Sequence, residues 1–250
     1  MKRKFLLLAI LSLIVIGANA QQRSVFRSGY MRLGINKLGN DLNSSLSPKE
    51  NIFDGRYGAG TGYVFEFGHA YYFKNKEKAK GINFGLDWTI LSLTYNQMDK
   101  WAAYAAASRI SAANIGGQKI AASISSKLGP VISVNPVEKL VIDFRFQVAP
   151  TARFFDFKYS EATAANQGRS FTFVNNSGDD DGDAVQNRIA FGVATNFGVT
   201  LRRGAIGLSL DYQTGKVNSN YEAYDTNGSE TYGKAKIKAN SLQAKLSFTL

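Results

Sequence analysis

Only one histidine and no cysteine stand among the 250 residues of the chain. That excludes disulfides, thiolate sites, a nucleophilic cysteine and a multi-histidine metal centre. A Ser-His-Asp triad would have one candidate base, His69. It lies in GTGYVFEFGHAYYF (60–73), on the side of the alternation that also carries Tyr71 and Phe73. No serine occurs in that segment, so a catalytic partner would have to come from a neighbouring one. Asp179-Asp180-Asp181-Gly182-Asp183 resembles a fragment of a calcium loop, because close carboxylates around a turning glycine can collect oxygen ligands. It lacks the later bidentate glutamate, and a solvated acidic tip is the expectation. We therefore expect no catalytic residue, no cofactor and no bound metal.

The remaining chemistry is ionic. Arg32, Glu66, Asp87, Lys127, Asp143, Arg145, Arg153, Arg188, Asp211 and Lys245 each sit in a stretch that alternates with period two, always on its less apolar side. In LVIDFRFQV (140–148), Leu140, Ile142, Phe144, Phe146 and Val148 share one face, opposite Val141, Asp143, Arg145 and Gln147. Such alternation marks a strand between two unlike environments. It recurs in eight segments, 28–36, 61–73, 81–97, 118–134, 139–158, 185–202, 204–217 and 234–250. The apolar set changes phase after Ile90, to Leu91 and Leu93, and after Phe154, to Phe155, Phe157 and Tyr159. Each change reads as a β-bulge, or as a strand running on past a point where both faces change surroundings.

Connections between these strands alternate long and short. The stretches 37–60, 98–117, 159–184 and 218–233 are long; 74–80, 135–138 and the turn at Arg203 are short. An all-β, eight-stranded antiparallel up-and-down barrel would gather the long loops at one rim, the layout of a transmembrane barrel. The less apolar face is rich in small residues such as Gly85, Ser125, Ala190, Gly192 and Gly198, which suit a narrow interior. Large apolar residues then face outward, which suits lipid and not water. Tyr71, Phe73, Tyr95, Phe155, Tyr159 and Tyr212 gather near strand ends, as interfacial girdles do. The ten charges fall in the lumen, six positive and four negative, where mixed signs suggest a paired network closing it. Water between them would instead make a narrow channel.

Residues 1–20 read as an export signal: Lys2, Arg3 and Lys4, an apolar run from Phe5 to Ile16, then Ala18-Asn19-Ala20. The run is short of the about 20 residues that span a bilayer as a helix. Residues 21–250 would be one barrel domain. Cleavage would remove three charges from a formal excess of +11, and four more, Lys74, Lys76, Lys78 and Lys80, cluster about one short turn. No basic helix or stacking platform accompanies the excess, so no nucleic-acid partner is expected. In the long loops, 99–113 has helical composition, with Trp101, Tyr104 and Ala105 able to lean on a barrel rim. The Tyr- and Asn-rich 218–233 reads as an exposed loop with the make-up of a binding surface.

Together with the alternating strands, the stretches GTGYVFEFGHAYYF (60–73) and KLGPVISVNPVEKLVIDFRFQVAP (127–150) resemble the small outer-membrane β-barrel superfamily of OmpA-type and OmpX-type barrels, in the form found in Bacteroidota. The resemblance covers the chain after residue 20. It implies a bacterial outer-membrane location, contact with outer-membrane lipids and lipopolysaccharide, and insertion by the barrel-assembly machinery. The superfamily holds structural anchors, adhesins, pores and a few lipid-modifying enzymes. One departure is the ending Phe248-Thr249-Leu250, where such barrels often finish on an aromatic. The expected function is non-enzymatic, structural or surface-binding through the long loops. A porin-like channel or small-solute transporter is the alternative, and an exported lipocalin-like binder stands behind it.

Overall fold

A computed structural model describes residues 25–74, 81–108, 112–162, 168–174, 189–224, 227 and 229–250. In chain order its strands are β1 (Gly29–Leu38), β2 (Thr61–Tyr72), β3 (Ile82–Gln97), β4 (Ala112–Val137), β5 (Leu140–Ala162), β6 (Gly168–Val174), β7 (Ile189–Arg203), β8 (Ile206–Tyr224), β9 (Glu230–Lys238) and β10 (Ser241–Thr249). Helices α1 (Pro48–Phe53) and α2 (Trp101–Ala107) lie in the two long connections before β2 and β4. Eight strands, all but β6 and β9, close into an antiparallel ring, each beside its sequence neighbour in the ring. The seam is formed by β1 and β10, in register from Tyr30 opposite Thr249 to Leu38 opposite Ser241. The expected fold is the observed one. A closed ring leaves no unpaired strand edge.

At the lower rim the turns are tight. Glu138-Lys139 joins β4 to β5 and Gly204-Ala205 joins β7 to β8. Gly204 takes a φ of 65°, the left-handed region a two-residue hairpin favours at its first position. The phase change after Ile90 is a bulge: Phe67 pairs with Leu91 and Gly68 with Thr89, so Ile90 is skipped and both Ile90 and Leu91 face outward.

At Phe154 no bulge exists. Odd-numbered residues of β5 point inward from Asp143 through Glu161, and the interior itself changes, from polar up to Arg153 to aromatic at Phe155, Phe157 and Tyr159. Phe155 and Tyr159 are thus buried on the inward face of β5 above the ring and belong to no girdle. The stretch read as a loop at 159–184 contains the end of β5 and all of β6; residues 163–167 and 175–184 lie outside the described ones. The stretch 218–233 is mostly a β8–β9 hairpin, with Tyr224 opposite Glu230. The expected single strand 234–250 is broken at Ala239-Asn240, where the Asn240 side-chain oxygen accepts from Thr214 Oγ1 and the Gly215 amide. At 159–184 and 218–233 alternation continued through segments whose polar composition had suggested loops, whereas in 234–250 it hid a break.

Above the ring, β6 takes the place of β7, pairing with β5 on one side and β8 on the other. The inward faces of these extensions and both helices enclose an aromatic lid. Phe155 stacks on Tyr57 (ring centroids 5.3 Å apart) and on Phe173 (4.4 Å). Trp101 tilts against Phe157 at 4.7 Å and donates from Nε1 to the Tyr57 carbonyl at 2.9 Å. Trp101, Tyr104 and Ala105 form the buried side of α2, as its composition led us to expect. Helix α1 begins with a capping box, the Ser47 hydroxyl accepting from the Glu50 amide and the Glu50 carboxylate accepting from the Ser47 amide. Its buried Asn51 side chain donates to the carbonyls of Asn43, Leu46 and Ser47, tying the preceding loop to the helix.

Around the outside runs an apolar belt. Leu33, Ile35, Phe67, Leu86, Trp88, Leu128, Phe144, Phe146, Val199, Leu208 and Leu246 are all exposed there. Tyr71 and Phe73 stand at its lower edge, and Tyr63, Tyr95 and Tyr212 at its upper edge.

Candidate functional site

Inside the belt the inward positions form a column of ion pairs and hydrogen bonds. Glu66, from β2, is its hub. It accepts from Lys127 Nζ at 2.6 Å, Lys245 Nζ at 2.7 Å, Ser92 Oγ at 3.2 Å and Arg32 Nη1 at 3.5 Å. Lys245 also meets Asp211 at 2.9 Å, and Asp211 accepts from Arg145 Nη2 at 3.1 Å. Arg32 reaches on to Asp87 at 3.7 Å. Asp87 accepts from the Tyr30 hydroxyl and from Gln147 Nε2. Nearer the lower rim, Asp143 accepts from Arg202 Nε at 2.8 Å and from the Ser133 hydroxyl. Every side chain of the central cluster is at most 4% exposed.

Strand phase puts these groups together. Every second residue of a strand points inward, and neighbouring ring strands bring inward residues level with one another. Arg32 stands opposite Glu66, and Lys245 opposite both Gly34 and Ser209. Small inward residues leave the room. A methyl placed on Gly198 would lie 2.1 Å from Asp211 Oδ1 and 2.6 Å from Arg145 Nη2.

Of the ten charges expected in the lumen, eight lie in this column: Arg32, Glu66, Asp87, Lys127, Asp143, Arg145, Asp211 and Lys245. Arg153 also points inward and is buried, but it stands higher, against the Tyr57 hydroxyl beneath the lid. Among the described residues its Nε and Nη1 have no hydrogen-bond partner. Arg188 lies outside the described residues, as do Asp179–Asp183. Arg202, Tyr30, Ser92 and Ser133 also belong to the column and were not among the ten. Arg202 continues the inward phase of β7 but stands at a strand end, where the apolar neighbours that mark a phase run out. Tyr30 is uncharged, and only its position two residues before Arg32 signals its direction.

His69 sits on the outer face near the lower edge of the belt, its ring 4.6 Å from that of Tyr71. It pairs across the sheet with Trp88, whose Nε1 donates to Ser126 Oγ at 3.0 Å. That serine in turn donates to the Thr89 carbonyl, so its hydroxyl proton is engaged elsewhere.

Above the belt the surface is ionic. Asp54 accepts from Lys238 and Arg56, and the Lys238 contact is the chief cause holding its carboxyl below the usual range. Asp41 is held down in the same way by Lys100 and Lys37. Among the described residues no group of three or more histidines and carboxylates could hold a metal ion.

No family model matches the chain, and no curated protein matches it significantly. Among solved structures it is similar to a major outer membrane protein from Thermus thermophilus, over 89% of this chain and 99% of that one, with a TM-score of 0.39 and 8% identity. It is also similar to the outer membrane protein OprG from Pseudomonas aeruginosa, over 90% and 96% of the two chains, with a TM-score of 0.38 and 9% identity.

Proposed function

We propose that the chain is a non-enzymatic outer-membrane β-barrel whose lumen is closed by its ion-pair column and roofed by the aromatic lid. Its role is structural, or it displays a binding surface on the loops and hairpin at the lidded end. One observation carries the membrane reading: a closed ring of strands wearing a continuous apolar belt outside and its charges inside. A soluble barrel such as a lipocalin reverses that arrangement. Lipid would cover the belt, and the closed ring satisfies every backbone group at that depth. Export through residues 1–20, insertion by the barrel-assembly machinery and contact with lipopolysaccharide belong to the same proposal.

The closed-lumen reading is supported by the burial of Glu66, Lys127, Arg145, Asp211 and Lys245 and by the short contacts among them. Two measurements test it. The folded protein should fractionate with outer membranes and migrate on gels in a heat-modifiable way. Purified protein in planar bilayers should give no reproducible conductance steps. Regular open steps would overturn the closed lumen, and recovery in a detergent-free soluble fraction would overturn the membrane barrel.

A further inference from the structure

Four lysines cluster on the outer face of the β8–β9 hairpin, directly above the apolar belt. Lys216 on β8 lies opposite Lys238 on β9, and Lys236 and Lys234 follow at alternate positions, opposite Asn218 and Asn220. All four are exposed. On β8 the outward series runs Leu208, Leu210, Tyr212, Thr214, Lys216, so apolar gives way to basic within one strand. On β9 and β10 it runs Lys234, Lys236, Lys238 and then, past the break, Leu242 and Ala244. With about 3.3 Å of rise per residue and a tilt of ~40°, Lys216 and Lys238 stand roughly 10 Å above the Tyr212 level, and Lys234 roughly 20 Å.

Directly opposed like charges destabilise a strand pair unless an anion lies between them. One carboxylate is paired with the cluster, Asp54 on Lys238. Lys216, Lys234 and Lys236 make no ion pair among the described residues. Beside the cluster, on β7, Phe191 and Val193 are more than 60% exposed and pair with Asn218 and Lys216. An apolar wall thus rises next to the lysines, past the level of Lys216.

We infer that this lysine ladder, with Phe191 and Val193 beside it, is a docking surface for a phosphate-bearing lipid of the surrounding leaflet, its acyl chains on the belt and its phosphates among Lys216, Lys234 and Lys236. The charge complements a phosphorylated headgroup, and its continuity with the belt selects a lipid over a soluble anion. This inference rests on the membrane reading above.

The test uses the full chain folded into phosphatidylcholine vesicles, with and without added lipid A as the phosphorylated lipid. Binding is read by native mass spectrometry of the extracted protein and by titration of the lipid. A K216Q/K234Q/K236Q variant, which leaves the Lys238–Asp54 contact in place, should bind lipid A on the order of 100-fold more weakly, from about 5-fold per lysine near a charged surface. A K139Q/R203Q variant at the opposite rim should bind as the parent does. Equal loss in both variants, no preference over dephosphorylated lipid A, or full competition by inorganic phosphate or an acyl-free phosphorylated sugar would each overturn the inference. Failure to enter phosphatidylcholine vesicles at all would instead overturn the membrane reading beneath it.

Discussion

Replacing Glu66 by glutamine would show how strongly the lumen column holds the barrel. The central cluster has four cations, Arg32, Lys127, Arg145 and Lys245, and three carboxylates, Glu66, Asp87 and Asp211. Glutamine has nearly the shape of glutamate, so packing and the Ser92 contact can persist while the charge is lost. The cluster then passes from one excess positive charge to two. Lys245 keeps Asp211, but Lys127 loses its carboxylate, 2.6 Å away, in a site where neither side chain is more than 1% exposed. Removing one partner of a buried pair costs about 3–5 kcal/mol, because the other charge is left uncompensated. The lower end, about 3 kcal/mol, is expected here because the amide oxygen still accepts one hydrogen bond. Equilibrium unfolding in urea from detergent or lipid vesicles, followed by tryptophan fluorescence, measures it. The double variant Glu66→Gln with Lys127→Met should recover part of the loss, with a coupling of about 1–3 kcal/mol. A Glu66→Gln midpoint within about 0.5 kcal/mol of the parent would refute the reasoning, since the column would then be filling space without holding the wall.

Gly198→Ala should destabilise by about 1–3 kcal/mol in the same unfolding assay, as overpacking does. The new methyl would press on Asp211 and on an Arg145 already fixed by Thr200 and Ser209, whereas the same change at the open turn Gly204 meets nothing within 4 Å, and its cost would come from φ alone. The Asp54–Lys238 contact at the upper rim should respond to acid. Its carboxyl titrates below the ordinary aspartate value, so its contribution is present at neutral pH and is lost as the pH falls through and below about 4. Limited proteolysis of the 39–60 connection should accelerate over that range, and Asp54→Asn should weaken the dependence, leaving the part that comes from the Asp41–Lys100 contact.

The ring and its interior were legible because alternation is strict wherever one face meets the belt and the other meets the lumen. Asp143, Arg145 and Gln147 fall between Ile142, Phe144, Phe146 and Val148, and that pattern fixes both strand and direction. Above the belt this contrast disappears. There Tyr221 and Ala223 point inward while Asn220 and Glu222 face out, and aromatic residues inside a polar-looking stretch resemble a loop. The lid was hidden for the same reason: Tyr57, Trp101, Phe157 and Phe173 come from four separate segments, and only the closed ring brings them together. Which cation meets which carboxylate depends on register between strands far apart in sequence, which single-strand patterning does not encode.

Lys245 lies on β10, the strand that meets β1 to complete the ring, and it bridges Glu66 on β2 with Asp211 on β8. Until that strand arrives, those two carboxylates face a gap without the ammonium that joins them. A slip of one residue would turn Lys245 outward onto the belt, and a slip of two would carry it about 7 Å along the wall. Ring closure therefore includes a check on alignment, because the last strand gains its full electrostatic contacts in one register alone. A misaligned barrel would be left with an open, poorly paired seam, the species that an assembly factor or a protease could tell from the finished one.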